Sequence, residues 1–236
     1  MRLDQFLTSV LGVSRKDAKI ILKQKKVLVN QKLETNPSLQ IDETKDEVIY
    51  NNQILKYQEH IYLILNKPNG YITSTEDYNH QTVMDLINHP LKHKLFPVGR
   101  LDIDTEGLLL ITNNGPLSHE LLSPKKHVSK TYYVEIDKAF PTDGIEILKN
   151  GIMLDGTRSV AEDIELINET SLNLTITEGK YHQVKRMMAH LGLNVTYLKR
   201  ISFGNLKLPN DLEIGSFREL TVSEVELLVN SKKGEE

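Results

Sequence analysis

Hydrophobic positions along the chain follow two periods in turn. Leu3, Phe6, Leu7 and Val10 fall at i, i+3, i+4 and i+7, which predicts a short helix ended by Gly12. Ser14, with Asp17 three residues on, is a capping-box start for a second helix with Ala18, Ile21 and Leu22 as its apolar stripe. Apolar runs at 27–29 and 48–50 predict strands, the first closed by a turn at Asn30-Gln31. Residues 51–60 are polar and read as a linker, and residues 61–65 open a new core. Asn66-Lys67-Pro68-Asn69-Gly70 breaks that strand through a fixed proline angle and a permissive glycine, so it reads as a turn.

Further along, Thr82 and Asp85 cap one or two helical turns that bury Val83, Leu86 and Ile87. Residues 108–112 form a buried strand, with Asn114-Gly115 as a hairpin-like turn, and residues 117–122 a short helix closed by Pro124. Residues 130–136 alternate as a strand, Tyr132 and Val134 on one face and Tyr133 and Glu135 on the other. A helix at 143–149, a glycine turn, and strands at 161–167 and 172–177 follow. Val184, Met187, Met188 and Leu191 restore the helical period, which Gly192 stops. The order predicts an α+β protein, with a small α/β module over residues 1–57. A larger domain over residues 58–236 is expected to rest on a mostly antiparallel, mixed β-sheet.

Charge changes this picture. The formal net charge of −3 does not by itself suggest a nucleic-acid binder. Its distribution does. Residues 1–36 carry Arg2, Arg15, Lys16, Lys19, Lys23, Lys25, Lys26 and Lys32 against Asp4, Asp17 and Glu34, leaving the remainder strongly acidic. A basic front module predicts a grip on RNA or DNA, the plain alternative being a solvated helix face. The chain has no cysteine, which excludes disulfide and thiol chemistry and fits a reducing compartment. With no apolar signal-peptide core and no run long enough to span a bilayer, a cytoplasmic location without a membrane partner is expected.

The candidate chemistry sits before the strand at 108–112. Arg100, Asp102, Asp104 and Glu106 place one cation and three carboxylates beside a run headed for the core, between Gly99 and Gly107. Clustered charge there is costly unless paired, solvated or used. The segment therefore reads as a polar loop on the rim of a sheet, where catalytic groups commonly sit. A second landmark is the helix at 183–191, where Lys185 and Arg186 lie off the apolar stripe near the N-terminal end. Cations added at an end that already favours anions suggest a phosphate or carboxylate partner.

As a string, Gly99-Arg100-Leu101-Asp102 through Thr112-Asn113-Asn114-Gly115 resembles the signature of the pseudouridine synthases. The similar branch modifies ribosomal RNA and includes the small-subunit enzyme. The family usually reads Thr-Asn-Asp-Gly at the end of this string, a departure confined to the turn. Arg2-Leu3-Asp4, Ser14-Arg15 and Val27-Leu28-Val29-Asn30 resemble the S4 RNA-binding domain over roughly residues 1–50. Lys67-Pro68-Asn69-Gly70 resembles the synthases' first motif, although a plain turn accounts for it. Tyr181-His182-Gln183-Val184-Lys185-Arg186-Met187 closely matches their third motif, in the wording of the small-subunit branch.

These resemblances imply site-specific conversion of uridine to pseudouridine in 16S rRNA. They make Asp102 the catalytic carboxylate, Tyr132 an active-site tyrosine and Lys185 the cation that keeps Asp102 ionised. The reaction breaks the N1–C1′ bond, turns the base and rejoins it through C5, with no redox change or net hydrolysis, so no cofactor is expected. Asp102 either attacks as a nucleophile or abstracts a sugar proton; both stay open. The target base must be flipped from its stack. Arg100 is the candidate to fill the gap or to hold a phosphate, and Tyr132 to stack on the uracil or carry a proton. Further RNA contacts are expected from Arg186, Arg2, Arg15, Lys16, Lys19 and Lys23, and the protein is expected to be a monomer. The alternatives are a sister enzyme acting on 23S rRNA and a plain S4-type RNA-binding protein. A metal site built from Asp102, Asp104 and Glu106 would draw three ligands from one five-residue stretch with nothing to complete it, so no metal is expected.

Overall fold

The computed structural model describes residues 1–231, so residues 232–236 of the predicted second domain lie outside the described residues. The chain divides into two compact units, one of residues 1–61 with 88–95, the other of residues 62–87 with 96 onward.

In the first unit α1 (Leu3–Leu11) and α2 (Arg15–Lys23) pack on a four-stranded antiparallel sheet. Its strands are β1 (Val27–Val29), β2 (Lys32–Leu33), β3 (Val48–Tyr50) and β4 (Gln53–Leu55), in the order β2-β1-β3-β4. Leu3, Phe6, Leu7, Ala18, Leu22, Val27 and Val48 form the core. Gly12 ends α1 at φ +68°, where a Cβ would collide with the Pro90 carbonyl. Ser14 caps α2, accepting from the Asp17 amide at 3.2 Å and donating to its carboxylate at 2.6 Å. The predicted linker is corrected at its start. Asn51 and Asn52 take left-handed angles and turn the chain back into β4, as Asn30 and Gln31 do between β1 and β2. Asparagine tolerates that conformation, so two polar residues make a hairpin rather than a tether.

The second unit begins with β5 (Tyr62–Lys67), a 3₁₀ turn at Val83–Leu86 capped by Thr82 and Asp85, β6 (Phe96–Pro97), β7 (Glu106–Thr112) and α3 (Gly115–Leu122). Then come β8 (Lys130–Ile136), α4 (Gly144–Asn150), β9 (Ile152–Leu154), β10 (Thr157–Ser159), β11 (Asp163–Asn168) and β12 (Ser171–Ile176). The last elements are α5 (Gln183–His190), β13 (Val195–Phe203), β14 (Leu206–Lys207), β15 (Phe217–Glu219) and α6 (Val222–Asn230). Among the described residues the main sheet runs β11-β12-β8-β13-β7-β5-β15, with β6 on β7 and β14 on β13. All its pairings are antiparallel except β13 with β7. The fold is thus an α+β mixed sheet preceded by a small α/β module.

β7 is an interior strand buried on both faces, which is why it reads as a continuous apolar run. Leu108 and Leu110 join Leu117, Leu121, Phe203 and Leu228 in one core. The hairpin expected after β7 is a helix start instead. Asn114 accepts from the Leu117 amide at 3.0 Å and N-caps α3, and its amide donates to Tyr62 Oη at 2.9 Å. The β9–β10 hairpin occupies what the sequence offered only as a glycine turn. At β7's entrance Gly107 sits at φ +99°, and a Cβ there would strike the Arg200 carbonyl on β13. That close approach brings β13 and β7 together directly beneath the charged loop.

Candidate active site

The loop that carries Asp102 runs from β6 into β7, flanked by interior strands of the sheet. Its backbone is tied from below. Lys67, at the end of β5, is fully buried, and its Nζ donates to the carbonyls of Pro68, Asp102, Ile103 and Thr105 at 3.1, 3.0, 3.1 and 2.8 Å. Burial pushes this ammonium down to about 8, against the pull of Asp104, Glu106 and Asp102, so it stays charged at neutral pH. Thr73 Oγ1 accepts from the Leu101 amide at 3.1 Å and donates to its carbonyl at 2.8 Å, and the Gly70 amide donates to the Ile103 carbonyl at 2.9 Å. The Lys67-Pro68-Asn69-Gly70 segment, read from sequence as a turn, is therefore the anchor of the loop. A lysine heading a turn looks solvated in sequence; only the fold shows its ammonium turned inward.

The side chain of Asp102 is about one quarter exposed. Lys185 Nζ lies 3.5 Å from its Oδ2, and His182 Nε2 lies 3.6 Å from its Oδ1. The expected Asp102–Lys185 pair is present as an ion pair, but Lys185 makes its short hydrogen bond, 2.6 Å, to Asp104. Burial raises the Asp104 pKa, and the hydrogen bond and charge of Lys185 outweigh it, leaving that carboxyl below its ordinary value. One lysine thus serves two carboxylates of the same loop. Glu106 goes elsewhere, accepting from Tyr197 Oη at 2.6 Å. Asp102, Asp104 and Glu106 do not converge, and among the described residues no His, Cys, Asp and Glu group is arranged to hold a metal ion.

His182 was missed as a site residue, since a lone histidine in a motif reads as ordinary surface. It sits at φ 48°, an angle uncommon for a residue with a Cβ, immediately before α5. Its ring stacks on Tyr181 with centroids 3.8 Å apart. Buried Gln183 holds this entrance, its Oε1 accepting from the Lys180 amide at 3.0 Å and its Nε2 donating to Glu178 at 3.2 Å. Tyr132 projects from β8, nearly buried, and lines a cavity of about 60 Å³ with Asp102, Arg100, His182 and Leu198. An adjoining cavity of about 550 Å³ shares Arg100, Asp102 and His182 and extends to Thr73 and Tyr181. Arg100 is exposed at the mouth of both.

Two candidate RNA contacts are engaged within the chain itself. Arg186 donates two hydrogen bonds to Asp155 on the β9–β10 turn, at 2.7 and 2.8 Å, so its partner is a carboxylate of its own chain. Arg2 likewise donates twice to Asp4, both at 3.0 Å. In both cases a planar guanidinium found a matching carboxylate close by in the fold. Arg15, Lys16, Lys19 and Lys23 are exposed along α2, while Ala18 and Leu22 are buried.

A model of the RNA pseudouridylate synthases matches residues 61–190, and a model of the S4 domain matches residues 1–48. An uncharacterized RNA pseudouridine synthase of Bacillus subtilis is 42% identical over 234 residues, covering 97% of this chain and 98% of that one. The ribosomal small subunit pseudouridine synthases A of Haemophilus influenzae and Escherichia coli are each 38% identical, over 97% of this chain and 100% of theirs. A crystal structure of a pseudouridylate synthase, 38% identical, superimposes over 97% of this chain and 99% of that one with a TM-score of 0.69.

Proposed function

Because this chain belongs to the RNA pseudouridine synthase family and bears an N-terminal S4 domain, we propose that it isomerises a specific uridine of small-subunit ribosomal RNA. Asp102 is the catalytic carboxylate in this reading. The observation that carries it is the placement of Asp102 in a cavity with Tyr132, on a loop whose backbone is tied at four of its residues, with Lys185 beside it. Such fixing holds a reacting group in place before substrate arrives. The S4-like module of residues 1–57 grips structured RNA through Arg15, Lys16, Lys19 and Lys23 on α2. The flipped uridine enters beside Asp102, Arg100 fills the gap it leaves, and Tyr132 faces the base. Lys185 stands beside Asp102 as its counter-charge during attack or proton abstraction. The protein acts as a cytoplasmic monomer; among the described residues no helix is long and apolar enough to cross a membrane.

The test is pseudouridine mapping by carbodiimide and reverse transcription in cells lacking this protein. One missing stop in small-subunit rRNA, restored by the wild type, is expected. A missing stop confined to large-subunit rRNA would move the substrate to the other subunit, and no missing stop would remove the enzymatic reading.

Two further outcomes follow from the geometry. Lys185→Ala leaves Asp102 with no lysine beside it and is expected to lower single-turnover rates by about a hundredfold or more. Its RNA affinity stays near that of wild type, because Lys185 faces carboxylates of its own chain; near-normal turnover would exclude this role. Replacing Lys16, Lys19 and Lys23 together by glutamine is expected to weaken RNA binding about tenfold or more and to flatten the slope of log Kd against log salt by about two. An unchanged slope would mean these lysines face only water.

A further inference from the structure

Tyr181, on the loop between β12 and α5, leaves most of its surface to solvent and is 75% exposed. Neighbouring side chains of a helix or strand point apart. Here the left-handed angle at His182 folds the two rings face to face, 16° from parallel with centroids 3.8 Å apart. His182 covers one face of the tyrosine ring, and the other face is open. The same imidazole reaches Asp102, its Nε2 lying 3.6 Å from Oδ1, so one ring is in contact with both Tyr181 and the Asp102 carboxylate. Tyr181, His182, Asp102 and Arg100 all line the cavity of about 550 Å³.

The backbone beneath this ring is braced. Arg186, forked on Asp155, also reaches the Tyr181 carbonyl at 3.4 Å. Lys180 Nζ donates to Ser159 Oγ at 2.7 Å and pairs with Glu178 at 3.1 Å. These contacts tie the residues on both sides of Tyr181 to the β9–β10 hairpin, and the tyrosine ring itself stays outside. A ring already held in place loses little freedom when a flat partner lands on it. Every base has a π face, so stacking on an aromatic side chain needs no matching of donors and acceptors. Drawing a uridine out of its stack toward Asp102 also strips its neighbours of a stacking partner, and an open ring beside the site replaces it.

We propose that Tyr181, backed by His182, is a stacking platform for the unpaired base next to the target uridine. The base lies on the open face of Tyr181, and the stack of base, tyrosine and imidazole ends at Asp102. Tyr181 thereby holds the strand with the target uridine beside the carboxylate. The inference rests on the reading of the chain as a uridine-modifying enzyme.

The experiment measures binding of the full chain to rRNA fragments centred on the mapped uridine, intact or with an abasic nucleotide at one flank or the other. For wild type, an abasic nucleotide at one flank is expected to weaken binding about tenfold. Tyr181→Ala should bind the intact fragment about tenfold more weakly than wild type and be indifferent to that abasic nucleotide, because ring and base make one shared contact. Tyr181→Phe keeps the ring and should restore both the affinity and the dependence on the flanking base. Wild-type indifference at both flanks would overturn the platform while leaving the proposed activity standing. So would a Tyr181→Ala loss equal on intact and abasic fragments, which would make the effect structural, or a Tyr181→Phe variant that behaves like alanine. Failure of wild type to form pseudouridine in the intact fragment it binds would overturn that activity, and the platform with it.

Discussion

Asp102→Asn is expected to yield a folded protein that binds RNA and forms no detectable pseudouridine, a loss of about a thousandfold or more in rate. The substitution keeps the shape and removes the charge. An amide neither attacks carbon as a carboxylate does nor accepts a sugar proton, so the loss is the same by either route. The surroundings tolerate the change. Asp102's backbone carbonyl still accepts from Lys67, and Lys185 keeps its 2.6 Å hydrogen bond to Asp104. The partly exposed pair that is lost is worth about 1 kcal/mol or less. Single-turnover assays by nucleoside chromatography, beside thermal melts and RNA-binding isotherms, separate these effects. Turnover near that of wild type would remove Asp102 from the chemistry; a collapsed melt would make its role structural.

The sequence made some of this legible and hid the rest, for physical reasons. Periodic segments such as 183–191, and the strand at 130–136, announced themselves because one face of each is buried and the other is not. The charged loop stood out because carboxylates beside a buried strand need a reason. What stayed hidden depended on direction and partner. Lys67 in a proline turn looks solvated, yet its ammonium points into the protein. Arg186 looks free until the β9–β10 turn brings Asp155 to it. Arg200 sits in a strand pattern like any half-buried residue, and only the parallel pairing of β13 with β7 shows its guanidinium enclosed. Periodicity locates faces; it does not say which polar groups meet across them.

Lys67→Met is expected to be the most damaging change outside the reacting groups. Methionine keeps the length and apolar stem but donates nothing, so four backbone carbonyls lose their shared partner. Those of Ile103 and Asp102 each keep another, the Gly70 amide at 2.9 Å and the Thr105 amide at 3.1 Å. Hydrogen bonds from a buried charge are the stronger kind, and orphaned acceptors are not resolvated in a closed loop, so the cost is about 3 kcal/mol. Three of the carbonyls belong to Asp102, Ile103 and Thr105, so the loss falls on the placement of the catalytic carboxylate. The rate should fall about a hundredfold even where the variant is fully folded. Urea unfolding and single-turnover assays read the two effects separately. The pH dependence gives an independent check. Burial lowers the Lys67 pKa from 10.5 to about 8, so between those values the unfolded chain binds more protons than the folded one. The stability of wild type relative to Lys67→Met should therefore rise with pH across that window and be smallest below pH 8, where the buried charge is fully present. The comparison isolates Lys67 from Lys130, whose pKa is also lowered to about 8 by burial and the nearby charge of Arg200. A difference that shrinks with pH would show that the four carbonyls hold the ammonium more tightly than water does.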